Sequence, residues 1–279
     1  MRIGRALALG SAGIVLTAGL TACSAGPAVA PAESTSSAEV HLPARVATAQ
    51  PMGGASAPLA GRTIVIDPGH QLGNRHFPRQ INRPVPAGGF TKPCNTTGTS
   101  TNGGYPEATF VWKVSKELAK RLRAKGAKVR LTRRSNSDRR WGPCVDVRGR
   151  AGNKIRADLK ISIHADGSYA VGARGFHVIY PPKRAPWTAD IHRPSKRFAV
   201  QLRKALLRAG FTRATYTAGG DGLDERSDLG TLNLSDIPVA MVELGNMRSA
   251  EDAAVMTRPA GRQRYAVALM KGILAHFGR

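Results

Sequence analysis

Aromatic side chains are scarce, at 5% of the 279 residues, which leaves little material for a platform on which sugars or bases could stack. Acid is scarce too: 18 Asp and Glu stand against 42 Lys and Arg, a formal net charge of +24. Such a field attracts polyanions, and charge alone does not choose among nucleic acid, anionic lipid headgroups and anionic cell-wall polymers. Long apolar runs are missing: Ala6 to Leu20, about 15 residues, falls short of the roughly 20 that cross a membrane. There are three cysteines and no Cys-x-x-Cys spacing, which argues against a cysteine-built zinc site. No internal repeat is visible.

The address lies at the N-terminus. Arg2 and Arg5 precede the apolar run, which ends in Leu20-Thr21-Ala22-Cys23, a sequence that resembles a bacterial lipobox. Residues 1–22 then read as a signal peptide, with Cys23 as the lipidated first residue. Ordinary cleavage after Ala28-Val29-Ala30 is the competing reading. Both export the protein, to the outer face of the cytoplasmic membrane or beyond it, and both remove intracellular nucleic acid as a partner. Cys94 and Cys144, each in a Gly/Pro-rich loop, remain as a pair, and a disulfide between them is the expectation; two free thiols are the alternative. Residues 23–59, rich in Ala, Pro, Ser, Thr and Gly, read as a flexible linker. Residues 60–279 are the folded domain.

Within it, Thr63-Ile64-Val65-Ile66 reads as a buried strand closed by Asp67-Pro68-Gly69. Residues 71–104 form a long Gly/Pro/Asn-rich excursion, of the kind that is often functional. A helix over 105–124 follows, with Phe110, Val114, Leu118 and Leu122 recurring on one face. Strands are expected at 128–132, 159–163, 175–180 and 238–242, and helices at 147–156, 195–209 and 262–277. This alternation predicts an α/β domain of three layers, a mixed, mostly parallel β-sheet flanked by helices. The segment from Lys113 to Lys160 holds 17 basic and 4 acidic residues. It reads either as a solvated face or as a surface that attracts anionic wall polymers or lipid headgroups.

Three strands run into residues with chemistry: the first into His70, the 159–163 strand into His164, the 238–242 strand into Glu243. Ligand sites in open α/β sheets gather at the carboxyl ends of parallel strands, so these residues converge if the strands are neighbours. Glu107 borders the buried stripe of its helix, where a carboxylate is costly unless something satisfies it. A metal would. His70, Glu107 and His164 make a three-ligand zinc set with a position left open, Glu243 serves as base and then acid, and Asp67 orients a ligand histidine from behind. The bland readings are structural histidines, a Glu107 that favours its helix's first turn and a Glu243 paired with Arg248. His41, His76, His177, His192 and His276 are given no role.

These segments resemble the zinc-dependent N-acetylmuramoyl-L-alanine amidases, peptidoglycan hydrolases. Thr63 to His70 is similar to the family's opening motif, and Glu107 with its helix to the metal-binding glutamate helix. Val129 to Arg133 resembles its second strand and Arg148 to Asp166 its most specific stretch. Pro238 to Asn246 looks like the catalytic-glutamate segment, except that Asn246-Met247 follows the glycine where the family usually has an aromatic or Leu. The resemblance implies one Zn2+ held by His70, Glu107 and His164, with Glu243 catalytic. The implied reaction is cleavage of the amide between the muramic acid lactyl group and L-alanine, in peptidoglycan or its fragments. The leader and paired loop cysteines resemble those of mycobacterial and related actinobacterial members, and a monomer is expected. Two rivals are a zinc carboxypeptidase acting on the stem peptide and a non-catalytic wall-binding module.

Overall fold

The computed structural model describes residues 57–217 and 219–279; the expected signal peptide, Cys23 and most of the 23–59 linker lie outside the described residues. In chain order the elements are β1 (Thr63–Pro68), α1 (Pro78–Asn82), β2 (Pro84–Pro86), β3 (Thr91–Pro93), α2 (Glu107–Ala124), β4 (Lys128–Leu131), α3 (Val145–Arg150), β5 (Leu159–Asp166), β6 (His177–Tyr180), α4 (His192–Arg208), β7 (Leu223–Glu225), α5 (Gly230–Asn233), β8 (Val239–Asn246), α6 (Ala250–Thr257) and α7 (Pro259–His276).

Six strands form one sheet in the order β4-β1-β5-β8-β6-β7. All neighbours are parallel except β6, which runs antiparallel to β8. Side chains alternate across a strand, and here the alternation separates two kinds of chemistry. Ile64, Ile66, Leu159, Ile161, Ile163, Ala240, Val242 and Leu244 belong to the main core, which includes Phe110 and Val114 of α2, Phe198 and Leu202 of α4 and Tyr265 and Leu269 of α7. The intervening residues carry Asp67, Lys160, Ser162, His164, His177 and Glu243 to the opposite face, on the side of α3 and α5. That face is apolar only in patches, such as Met241 with Leu232 and Val65 with Ile237. The architecture is therefore three-layered, with the polar groups of one sheet face buried under the thinner helical layer. Among the described residues no helix is long and apolar enough to cross a membrane.

The departures from expectation are local. The helix expected over 147–156 covers only Val145–Arg150. Gly152, at φ +99°, turns the chain tightly, and a Cβ there would lie 2.7 Å from Ile237 and 2.9 Å from Val65. β5 and β8 run past their apolar stretches, because the pairing continues through His164 opposite Glu243. Those two residues therefore sit within strands. The closing helix starts earlier, at Pro259, and α6 before it was not anticipated; its cap, Ser249, accepts a hydrogen bond from the amide of Asp252. The 71–104 excursion contains α1, the β2–β3 hairpin and a disulfide from Cys94 to Cys144.

Candidate metal centre

His70 follows β1 in the left-handed region, at φ 56°, a conformation that persists in a non-glycine residue only where the surroundings impose it. Arg133 imposes it. This side chain, 4% exposed, donates to the carbonyls of Pro68 (3.2 Å), Gly69 (3.2 Å) and Ala108 (2.9 Å). One guanidinium thus ties the backbone just before His70 to the backbone just after Glu107. The His70 ring is turned by Thr96, whose carbonyl lies 3.1 Å from Nδ1. Donation from Nδ1 leaves Nε2 free, 3.2 Å from Oε1 of Glu107.

Glu107 opens α2. Its Oε2 accepts from the Thr99 amide at 2.9 Å, and its Oε1 lies 3.0 Å from Nδ1 of His164. Gly98 lets the loop pass close: a Cβ there would fall 2.8 Å from Oε2 of Glu107. Burial opposes the charge of Glu107, but the two histidines outweigh it and hold the carboxyl well below its ordinary range. His70, Glu107 and His164 are all buried, and one ligand atom from each lies within 4.8 Å of the other two. Two imidazole nitrogens and a carboxylate oxygen facing a cavity match the donor set and open position of catalytic zinc.

Glu243 stands across the sheet from His164, in register on β8. Its Oε2 is buried without a hydrogen-bond partner among the described residues. Burial, with Glu107 and Asp166 nearby, pushes its pKa well up, and Arg226 opposes the rise. Arg248 does not pair with it; that guanidinium lies over the Tyr169 ring, 4.6 Å from the centroid. All four residues line one open cavity of about 360 Å3, together with Lys92, Arg148, Asp166 and Arg226.

Asp67 makes no hydrogen bond with either ligand histidine. Its carboxylate takes a two-pronged ion pair from Arg148, at 2.9 and 2.8 Å, and hydrogen bonds from Ser162 and Thr132. Burial works against this charge and Arg148 overcomes it, so the pKa of Asp67 falls far below the ordinary carboxylate value. Arg148 in turn reaches His164, with Nη2 2.8 Å from Nε2. The sequence reading missed Arg133 and Arg148 as members of the site, and missed His177, which pairs in register with Glu243 on β6 and is 2% exposed. The one available signal was Asp67 itself, since a buried carboxylate requires a cation.

The fold and this arrangement define a metallohydrolase-like site, and comparison with known proteins gives the class. The profile of the N-acetylmuramoyl-L-alanine amidase family matches residues 64–275, and the chain belongs to that family. It is 45% identical over 218 residues, 78% of this chain and 87% of the other, to an N-acetylmuramoyl-L-alanine amidase of Mycobacterium tuberculosis. The crystal structure of the amidase Ami1 from Mycobacterium smegmatis superposes with a TM-score of 0.72 at 40% identity, covering 79% of this chain and 98% of that one. The apo form of Ami1 from Mycobacterium abscessus also gives 0.72, at 45% identity, covering 78% and 99%.

Proposed function

We propose that this protein hydrolyses the amide between N-acetylmuramic acid and L-alanine in peptidoglycan, with a zinc ion that His70, Glu107 and His164 would hold. The observation that carries the reading is the convergence of these three buried ligand atoms beside the unpartnered carboxylate of Glu243, in one cavity. Zinc in such a set supplies a Lewis acid for the amide carbonyl and acidifies water.

The chain's own groups do the rest. Glu243 accepts the proton of the attacking water at Oε2 and delivers it to the departing nitrogen. Its burial raises its proton affinity, which favours the first transfer. Thr96 fixes the tautomer of His70. Asp67 acts on His164 through Arg148. The exported location and an association with anionic wall polymers are part of the same reading. Lys113, Lys116, Lys120 and Arg123 of α2 and Arg193, Lys196, Arg197, Lys204 and Arg208 of α4 are exposed in the outer helical layer, and wall binding through them weakens as salt screens the charges.

The test is metal content with activity. The purified protein is expected to carry one zinc per chain, to lose cleavage on chelation and to regain it with zinc. Cleavage that persists in metal-free protein would overturn the assignment of the ligands.

A further inference from the structure

Helix α2 and the edge strand β4 enclose a second cavity, of about 490 Å3, apart from the one at the metal centre. From α2 it is lined by Trp112, Lys116 and Arg123, which share one face of the helix. Arg130, Arg133 and Arg134 come from β4 and the residues just after it. No acidic side chain among the described residues lines it. Lys116, Arg123, Arg130 and Arg134 make no ion pair among the described residues, for Glu117 is paired with Arg121 at 3.9 Å and Asp138 with Arg75 at 2.6 Å.

The floor of this cavity is a buried cation that no carboxylate touches. Arg133 donates all five of its N–H groups, to the carbonyls of Pro68, Gly69, Ala108 and Ser135 and to Oδ1 of Asn136. Every acceptor is neutral. Burial and then the field of Arg148 disfavour its charge, and the fields of Asp67 and Glu107 do not make up the difference. An anion in the cavity acts in the missing direction. The Arg133 guanidinium lies 4.9 Å from the centroid of the Trp112 ring, so buried charge and indole share one end. At the other end Nη2 of Arg123 donates to the Val129 carbonyl at 3.0 Å. The eleven residues of helix from Trp112 to Arg123 span about 16 Å, too long for one phosphate and suited to a run of them.

We propose that the α2–β4 cavity binds a phosphodiester-linked polymer, with the chain lying along α2 and an apolar part of its repeat against Trp112. The proposal rests on the reading that the protein works at the cell wall, and puts one built site where that reading has only diffuse attraction. A strand-forming acidic peptide fits less well. Lys128 and Thr132 turn their amides to Arg62 and Ile66, so Val129 faces the open edge of β4, and its carbonyl, which an added strand would need, is already taken by Arg123. A membrane surface offers single headgroups on a plane, whereas these cations line a recess between a helix and a sheet edge. The Trp112 end adjoins the backbone that Arg133 holds beside His70 and Glu107, so a chain seated here runs toward the metal centre.

The test is equilibrium binding of a synthetic oligo(glycerol phosphate) to the zinc-loaded full chain across a salt series, followed by tryptophan fluorescence. Binding is expected to change the fluorescence, and Trp112→Phe to remove that change. The triple variant Lys116→Gln, Arg130→Gln, Arg134→Gln replaces exposed side chains only. Its slope of log K against log salt should be shallower by about 2, as three phosphate contacts are lost. A control triple on α4, Arg193→Gln, Lys196→Gln, Arg197→Gln, removes the same charge and should leave the slope as in the wild type. Equal effects of the two triples, or no binding of the polymer, overturn the proposal; wall binding that weakens with salt would then still stand, and muramoyl-peptide cleavage is read separately. A Trp112 signal as strong with polyglutamate, or one seen with phosphatidylglycerol vesicles and not with the polymer, also overturns it, in favour of an acidic peptide or a lipid headgroup.

Discussion

Arg148 stands with Nη2 2.8 Å from Nε2 of His164, and the same nitrogen lies 2.8 Å from Oδ2 of Asp67. Arginine offers only donors. Nε2 of His164 therefore accepts, and Nδ1 carries the ring proton toward Oε1 of Glu107, 3.0 Å away. The nitrogen that faces the other ligand atoms is the protonated one, so a metal at Nδ1 requires the ring proton to move to Nε2 and the contact with Arg148 to open.

Arg148 also holds the charge of Asp67. Asp67 is fully buried, and Arg148→Gln leaves its charge unpaired. The expected loss is about 3–5 kcal/mol of stability, read from denaturant midpoints, with zinc affinity lowered roughly 10- to 100-fold. Unchanged zinc affinity in a folded variant would separate Arg148 from the metal site.

Arg133 is a positioning residue for both His70 and Glu107. Arg133→Gln is expected to weaken zinc binding by roughly tenfold or more, measured by competition with a chromogenic chelator. At saturating zinc the variant should recover most of its turnover, whereas a general folding defect would leave turnover low at any zinc concentration.

Much of this site is legible in the sequence, because strands buried on both faces read as apolar runs and the chemistry follows them. Thr63 to Ile66 points to His70, Leu159 to Ile163 to His164, and Val239 to Val242 to Glu243. The stripe of α2 marks Glu107 as a carboxylate at a buried edge. The basic residues are harder to read. Arg133, Arg148 and Lys160 lie in the segment from Lys113 to Lys160, whose charge suggests a solvated or polymer-binding face, yet all three are buried. Periodicity cannot tell an inward arginine from an outward one when its partner is a carboxylate some 80 residues away, as Asp67 is from Arg148. The short helix Val145–Arg150 was overestimated for a related reason: the stop at Gly152 is set by close packing on Val65 and Ile237, contacts made only in the folded chain.

Lys160 gives the fold a pH dependence. It is fully buried on β5, donates to the carbonyls of Arg148 and Gly149, and burial lowers its pKa from 10.5 to about 7. Below about 7 both folded and unfolded chains hold the proton, and this group adds no pH dependence. Between about 7 and 10.5 the unfolded chain keeps a proton that the folded chain has released, so stability rises with pH. The difference in unfolding free energy between wild type and Lys160→Met should move in favour of wild type as pH goes from 7 to 10. A constant difference would show that Lys160 stays charged in the fold.

The Cys94–Cys144 bridge closes a separation of 50 residues. In the chain-entropy account such a loop contributes roughly 4 kcal/mol. Thermal and denaturant unfolding of the double variant Cys94→Ser, Cys144→Ser should show a loss of that order, and reductant should no longer affect the variant.

The central claim is the identity of the bond that is cut and of the group that moves the proton. The most direct test is mass spectrometry of defined peptidoglycan fragments incubated with the zinc-loaded protein, beside Glu243→Gln. The account predicts free peptides that begin at L-alanine together with peptide-free muramyl sugars, and a loss of at least 100-fold in the variant, which still binds zinc. Shortened peptides that remain attached to the sugar, or a Glu243→Gln variant as active as wild type, would contradict it.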